Sequence, residues 1–172
     1  MKNNIILVGM MGAGKSFIGK CLKEKMPYMQ LVDVDDYIEQ TQNMKISDIF
    51  EKFGELYFRN LETESIKNIV KNENQIISLG GGVFESEENR KILNESGYTV
   101  YLKAPAQTLF DRIKNETHRP LLKQGFGVER VEQILNKREL NYSKALITVE
   151  TQDKGSDIIV QEIIKKAEEY GK

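Results

Sequence analysis

Eight residues near the start of the chain, Gly9-Met10-Met11-Gly12-Ala13-Gly14-Lys15-Ser16, constrain the fold more than any other stretch. They fit the spacing G-x-x-x-x-G-K-[ST], and the apolar run Ile5–Val8 directly before them reads as a strand. Such a loop works where a strand ends and a helix begins. There its backbone N–H groups turn inward on an anion, and the helix adds the positive end of its dipole. The ligand that suits this cradle is a phosphate chain. Lys15 can reach the β- and γ-phosphates of ATP as a point charge, and the Ser16 hydroxyl is a hard oxygen ligand suited to Mg²⁺. Gly12, Ala13, Gly14, Lys15, Ser16 and the following Phe17 are the candidate nucleotide residues.

The remaining apolar pattern agrees with a strand-loop-helix start. Short runs at residues 31–32, 76–79, 99–102 and 145–149 read as further strands, several of them near-continuous, as in a sheet buried on both faces. Between them lie segments of helical spacing. The clearest is Ile159, Val160, Ile163, Ile164 and Ala167 on one stripe. Alternating strands and helices predict an α/β fold with a parallel sheet, and ligands at the carboxyl ends of its strands. Residues 113–127 differ, with Arg119, Pro120, Gly125 and Gly127 and little periodicity, and read as an exposed loop able to move. A length of 172 residues suits one domain.

Composition narrows the partners. Twenty-five Lys and Arg against 26 Asp and Glu leave a net charge of −1, so no basic field points to nucleic acid. No apolar run approaches membrane-spanning length and none resembles a signal-peptide core, which predicts a cytoplasmic protein. Cys21 is the only cysteine and is expected to pack as a small hydrophobe beside Phe17, Ile18 and Leu22.

A phosphate loop does not choose a reaction, since motors, GTPases, transport ATPases and kinases all use one. The other polar motifs must do so. Asp33 and Asp35 follow the second strand, and alternation along a strand would turn both carboxylates to one side. One could support Mg²⁺ through its water shell, the other could orient an acceptor hydroxyl, and Asp35 or Asp36 could instead cap a helix. Gly80, Gly81 and Gly82 follow the third strand and would let a small ligand lie against the backbone. Arg138 shares a helical stripe with Val131, Ile134, Leu135 and Tyr142, so it points inward, where an arginine wants a carboxylate or phosphate. Arg59 has Glu55 and Glu62 at helical spacing and could make surface pairs with them. Arg119 in the predicted loop could close on the transferring phosphoryl group, Arg112 could flank the nucleotide, and His118 reads as loop surface.

Taken together, the loop Gly9 to Ser16, Asp33-x-Asp35, Arg59, the three glycines, Arg119-Pro120-Leu121 and Arg138 with Tyr142 resemble the shikimate kinases over nearly the whole chain. The resemblance implies a nucleoside-monophosphate-kinase-like fold with a five-stranded parallel sheet flanked by helices, an acceptor region at about 33–61 and a mobile lid at about 113–124. It implies ATP and Mg²⁺ as co-substrate and metal, shikimate as small-molecule substrate, and a place in the chorismate route to aromatic amino acids. By position, Lys15 and Ser16 would serve ATP and Mg²⁺, Asp33 the metal, and Asp35 the shikimate hydroxyls as candidate base. Arg59 and Arg138 would clamp the carboxylate, Gly80, Gly81 and Gly82 would line the pocket, Arg119 would come from the lid and Arg112 would lie near the adenine. Nothing in the chain demands more than a monomer. Residues 151–156, where related enzymes continue the adenine pocket, are short and lack a proline. Gluconate or nucleoside monophosphate kinases, and a nucleotide-binding regulatory module, are the alternatives.

Overall fold

Apolar runs of four to six residues are too short for buried helices and become the strands of one sheet. In the computed structural model, which describes residues 3–114 and 127–171, these are β1 (Ile5–Val8), β2 (Gln30–Asp33), β3 (Gln75–Ser78), β4 (Tyr98–Lys103) and β5 (Ile147–Glu150). All pair in parallel, in the order β2-β3-β1-β4-β5. The expected five-stranded parallel sheet is therefore present, with strand ends shifted by a residue or two.

Burial follows position in the sheet. The central strands β1 and β3 are buried at every residue. At the two edges the expectation of burial on both faces fails: β5 alternates buried and exposed residues, and β2 is partly exposed throughout. An edge strand has a neighbour on one side only, so its outer side chains stay wet.

The helices among the described residues are α1 (Lys15–Lys25), α2 (Val34–Gln42), α3 (Ile46–Ile69), α4 (Glu87–Ser96), α5 (Ala106–Ile113), α6 (Val128–Tyr142) and α7 (Ser156–Tyr170). Helices α1 and α7 pack together and on the sheet, while α4 packs on β4 and α3. The apolar stripe read for the last helix is its buried face, with Ile159, Val160, Ile163 and Ala167 all buried. Helix α3 breaks at Gly54, whose φ of 80° and ψ of 173° lie outside the helical region. None of these helices is long and apolar enough to cross a membrane.

A polar hub fixes the amino-terminal end of the sheet. The buried Asn4 donates to the carbonyls of Asn72 at 3.2 Å and Ser96 at 3.1 Å, and its Oδ1 accepts from the Gln75 N–H at 2.9 Å. One side chain thus ties the starts of β1, β3 and β4 together. The chain then leaves β1 toward β2 at one edge and leaves β3 toward β4 across the sheet, so a crevice opens between the carboxyl ends of β1 and β3.

Candidate active site

The phosphate loop occupies that crevice. Gly12 and Gly14 take φ values of 81° and 86°, conformations that side chains rarely adopt, and curl the backbone before α1. Gly14 caps α1 without any side-chain hydrogen bond, and the first turn holds Lys15 and no acid. A cation at a helix N-terminus opposes the dipole unless an anion joins it. The loop is thus built for a ligand of negative charge. Lys15 Nζ donates to the carbonyls of Gly9 at 2.8 Å and Met10 at 3.0 Å, folded along the loop.

A cavity of about 460 Å³ opens over this loop. Its walls include Gly12 to Phe17, Asp33, Asp35, Gly80, Gly81 and Arg112. Phe17 is 61% exposed and borders the cavity, while Cys21 packs half-buried against the core.

Asp33 and Asp35 reach the same cavity by a route other than strand alternation. Strand β2 ends at Asp33, and Asp35 already lies in the first turn of α2. Asp33 is itself the cap, with Oδ1 accepting from the Asp35 N–H at 3.1 Å, so neither Asp35 nor Asp36 plays that part. Its other oxygen, Oδ2, accepts from the Ser16 hydroxyl at 3.0 Å. One carboxylate therefore starts a helix with one oxygen and meets the phosphate loop with the other. Ser16 Oγ and Asp33 Oδ2 together offer hard oxygens beside the phosphate cradle, which fits Mg²⁺, an ion that keeps most of its waters and takes few protein ligands. No larger cluster of metal-ligating side chains occurs among the described residues.

The three consecutive glycines each admit a different side chain. A Cβ on Gly80 would lie 2.7 Å from Asp35 Oδ1 and 3.4 Å from Glu62 Oε1. The Gly81 carbonyl accepts from Arg138 Nη1 at 3.2 Å and from the Tyr142 hydroxyl at 2.6 Å. A Cβ on Gly82 would collide with the Arg59 guanidinium. The loop after β3 thus gathers a carboxylate and two arginines that lie far apart in sequence.

Arg59 and Arg138 line a second cavity of about 620 Å³, together with Gly82. Arg59 is paired with Glu55 at 3.1 Å, as a surface pair would be, and with Glu62 at 2.7 Å. Glu62 is no surface residue: it is 2% exposed. Burial pushes its carboxyl above the usual carboxylate range, and the Arg59 guanidinium opposes that rise. The sequence pattern offered Glu62 only as a helical neighbour of Arg59; its place beside Asp35 and Gly80 comes from the packing of α3 against the loop after β3.

On the far side of the phosphate loop, Arg112 donates to the Gly12 carbonyl at 3.3 Å and to the Thr151 carbonyl at 3.2 Å. Thr151, Lys154 and Ser156 border the same cavity, so residues 151–156 form wall there without a proline. Ile113, expected to begin the lid, is the buried last residue of α5. Arg119, His118 and most of the predicted lid lie outside the described residues.

Known proteins share this sequence and fold over nearly their whole length. The shikimate kinase family model matches residues 11–168. A shikimate kinase of Sulfurihydrogenibium sp. is 43% identical over 163 residues, covering 95% of this chain and 96% of that protein. A solved shikimate kinase from Acinetobacter baumannii in complex with shikimate superposes with a TM-score of 0.91 at 31% identity, covering 99% of this chain and 95% of the other. A gluconokinase from Sinorhizobium meliloti superposes with a TM-score of 0.56 at 14% identity, covering 99% and 96% of the two chains, a likeness of fold alone.

Proposed function

The chain belongs to the shikimate kinase family, and from that premise we propose that it transfers the γ-phosphate of ATP to the 3-hydroxyl of shikimate, giving shikimate 3-phosphate and ADP. The observation that carries this reading is the glycine run 80–82, against which Asp35, Arg138 and Arg59 each close on the backbone. A carboxylate for a hydroxyl and two guanidinium groups for a carboxylate match a hydroxy acid held next to a phosphate loop.

In this reading Arg59 and Arg138 clamp the shikimate carboxylate, and Gly80, Gly81 and Gly82 let the ring lie close to the chain. Asp35 accepts the proton of the 3-hydroxyl, whose oxygen forms the new bond to the γ-phosphorus as the bond to the bridging oxygen breaks and its electrons pass to ADP. Lys15 and the loop N–H groups oppose charge on the transferring group. Ser16 and, through water, Asp33 would hold Mg²⁺, which supplies further charge neutralisation on the phosphates. Arg112 borders the adenine, and Arg119 comes from the lid toward the phosphates to exclude water. The protein acts as one cytoplasmic domain over residues 1–172, as a monomer, with its acceptor region at about 33–61.

Purified protein with ATP, Mg²⁺ and shikimate is expected to release ADP and form shikimate 3-phosphate in a coupled assay. Gluconate serves as the comparison acceptor. A higher kcat/KM on gluconate, or nucleotide binding without shikimate binding by calorimetry, overturns the proposal.

A further inference from the structure

The clamp cavity is larger than the cavity at the phosphate loop, about 620 Å³ against about 460 Å³, and α6 forms one of its walls. This helix presents Arg130, Gln133, Ile134, Lys137 and Arg138 to the cavity. Their helical spacing makes them one face, and a rise of about 1.5 Å per residue sets Arg130 about 12 Å from Arg138 along the axis. Exposure grades along that face. Arg138 is half-buried, whereas Lys137 and Arg130 are exposed and so stand at the cavity mouth.

Charge is segregated in the same way. Four cations, Arg59, Arg130, Lys137 and Arg138, and four carboxylates, Glu55, Glu62, Glu85 and Glu88, line the cavity, so its formal charge is zero. The acids sit on α3 and on the floor between Gly82 and Asn89. Arg59 is already matched there by Glu55 and Glu62, and Glu88 pairs with Lys67 at 3.0 Å. On α6, Arg130 donates only to the neutral Gln133, at 3.4 Å, and among the described residues neither Arg130 nor Lys137 has a carboxylate within ion-pair distance. Without those two cations the lining would hold two cations against four acids, a formal charge of −2, and would repel the anion that the clamp must receive.

We propose that Arg130 and Lys137 form an outer anion site, which takes up the carboxylate of the acceptor at the cavity mouth and passes it inward to Arg138 and Arg59. The inference rests on the acceptor being a carboxylate acid, as in the reading above. The span of the face is close to one Debye length, about 10 Å at 0.1 M salt, so the outer pair extends the field of the clamp into solvent where Arg138 alone is screened. Lys137 serves as a point charge and Arg130 as a planar donor fork, and both remain free to let the acid move on.

The test compares wild type with Arg130→Gln/Lys137→Gln and with Lys137→Glu. Initial rates are measured against shikimate at saturating ATP, from about 0.01 M to about 0.3 M ionic strength. The double variant is expected to lose on the order of tenfold in kcat/KM for shikimate at low salt, with the gap closing as salt rises. The loss falls on KM for shikimate, with little on kcat or on KM for ATP; Lys137→Glu loses more, and Lys137→Arg recovers the wild-type salt slope. An unchanged kcat/KM and salt slope, or a fall confined to kcat, overturns the outer site while leaving the acceptor reading in place. Absence of wild-type turnover on shikimate removes both.

Discussion

Gly82→Ala places one methyl group where the Arg59 guanidinium now lies, and the consequences for folding and for binding separate. The backbone itself accepts alanine, because Gly82 has φ −98° and ψ −14°, an ordinary conformation for any side chain. Restricting the unfolded chain then favours the folded state by about 0.4–1 kcal/mol. Against that, the new Cβ would stand 2.9 Å from Arg59 Cζ and 3.0 Å from Nη2, closer than van der Waals contact allows. Arg59 is the flexible partner and must swing outward, loosening its bond to the buried Glu62 at a cost of about 1–3 kcal/mol. The net loss of stability is about 0 to 2.6 kcal/mol, which lowers the melting temperature by no more than roughly 10 °C in a chain of this size. Acceptor binding suffers more specifically. Removing one charged hydrogen-bonding partner of a carboxylate costs about 1.5–3 kcal/mol, and about 1.4 kcal/mol is a factor of ten. KM for shikimate should therefore rise about 10- to 100-fold while KM for ATP stays within about twofold. Coupled ADP release, with each substrate varied in turn, and a melting curve give all three values. A folded variant with an unchanged KM for shikimate would refute the assignment of Arg59 to the clamp.

Three further outcomes follow from the geometry. Asp33→Ala removes a helix cap and the acceptor of the Ser16 hydroxyl together, so unfolding in urea should show a loss of about 1 kcal/mol and turnover should fall with a raised requirement for Mg²⁺; unchanged Mg²⁺ dependence would count against its metal role. Asn4→Ala leaves the Gln75 N–H and the Ser96 carbonyl without their Asn4 partner, while the Asn72 carbonyl keeps the Gln75 side-chain amide at 3.0 Å, and should cost about 2 kcal/mol in denaturant unfolding while KM for both substrates holds in the remaining folded protein. Glu62 binds its proton more tightly folded than unfolded, because burial raises its carboxyl; that contribution to stability is complete below the unfolded value of 4.5 and is lost as pH rises through the folded value. Urea midpoints across acid to neutral pH should therefore lose part of this slope in Glu62→Gln, and an identical profile would show that the group does not titrate as described.

The phosphate loop, the order of motifs and the inward stripes of α6 and α7 were legible in the sequence because each depends on residues close together along the chain. Glycine spacing sets the turn after β1, and helical spacing puts Arg138 on the face of Val131 and Leu135, whatever the rest of the fold does. Strand alternation misled where a strand stopped early: β2 ends at Asp33, so Asp33 and Asp35 share the cavity because one caps the helix that carries the other. Only the tertiary structure decided which distant groups meet. The path of the chain across the sheet brings α2, α3 and α6 to the loop after β3, and there Gly80, Gly81 and Gly82 meet Asp35, Arg138 and Arg59 in turn. It also turned Glu62 from one more acid on a charged helix into a buried carboxylate, since burial is fixed by what packs against a residue and not by its neighbours in sequence.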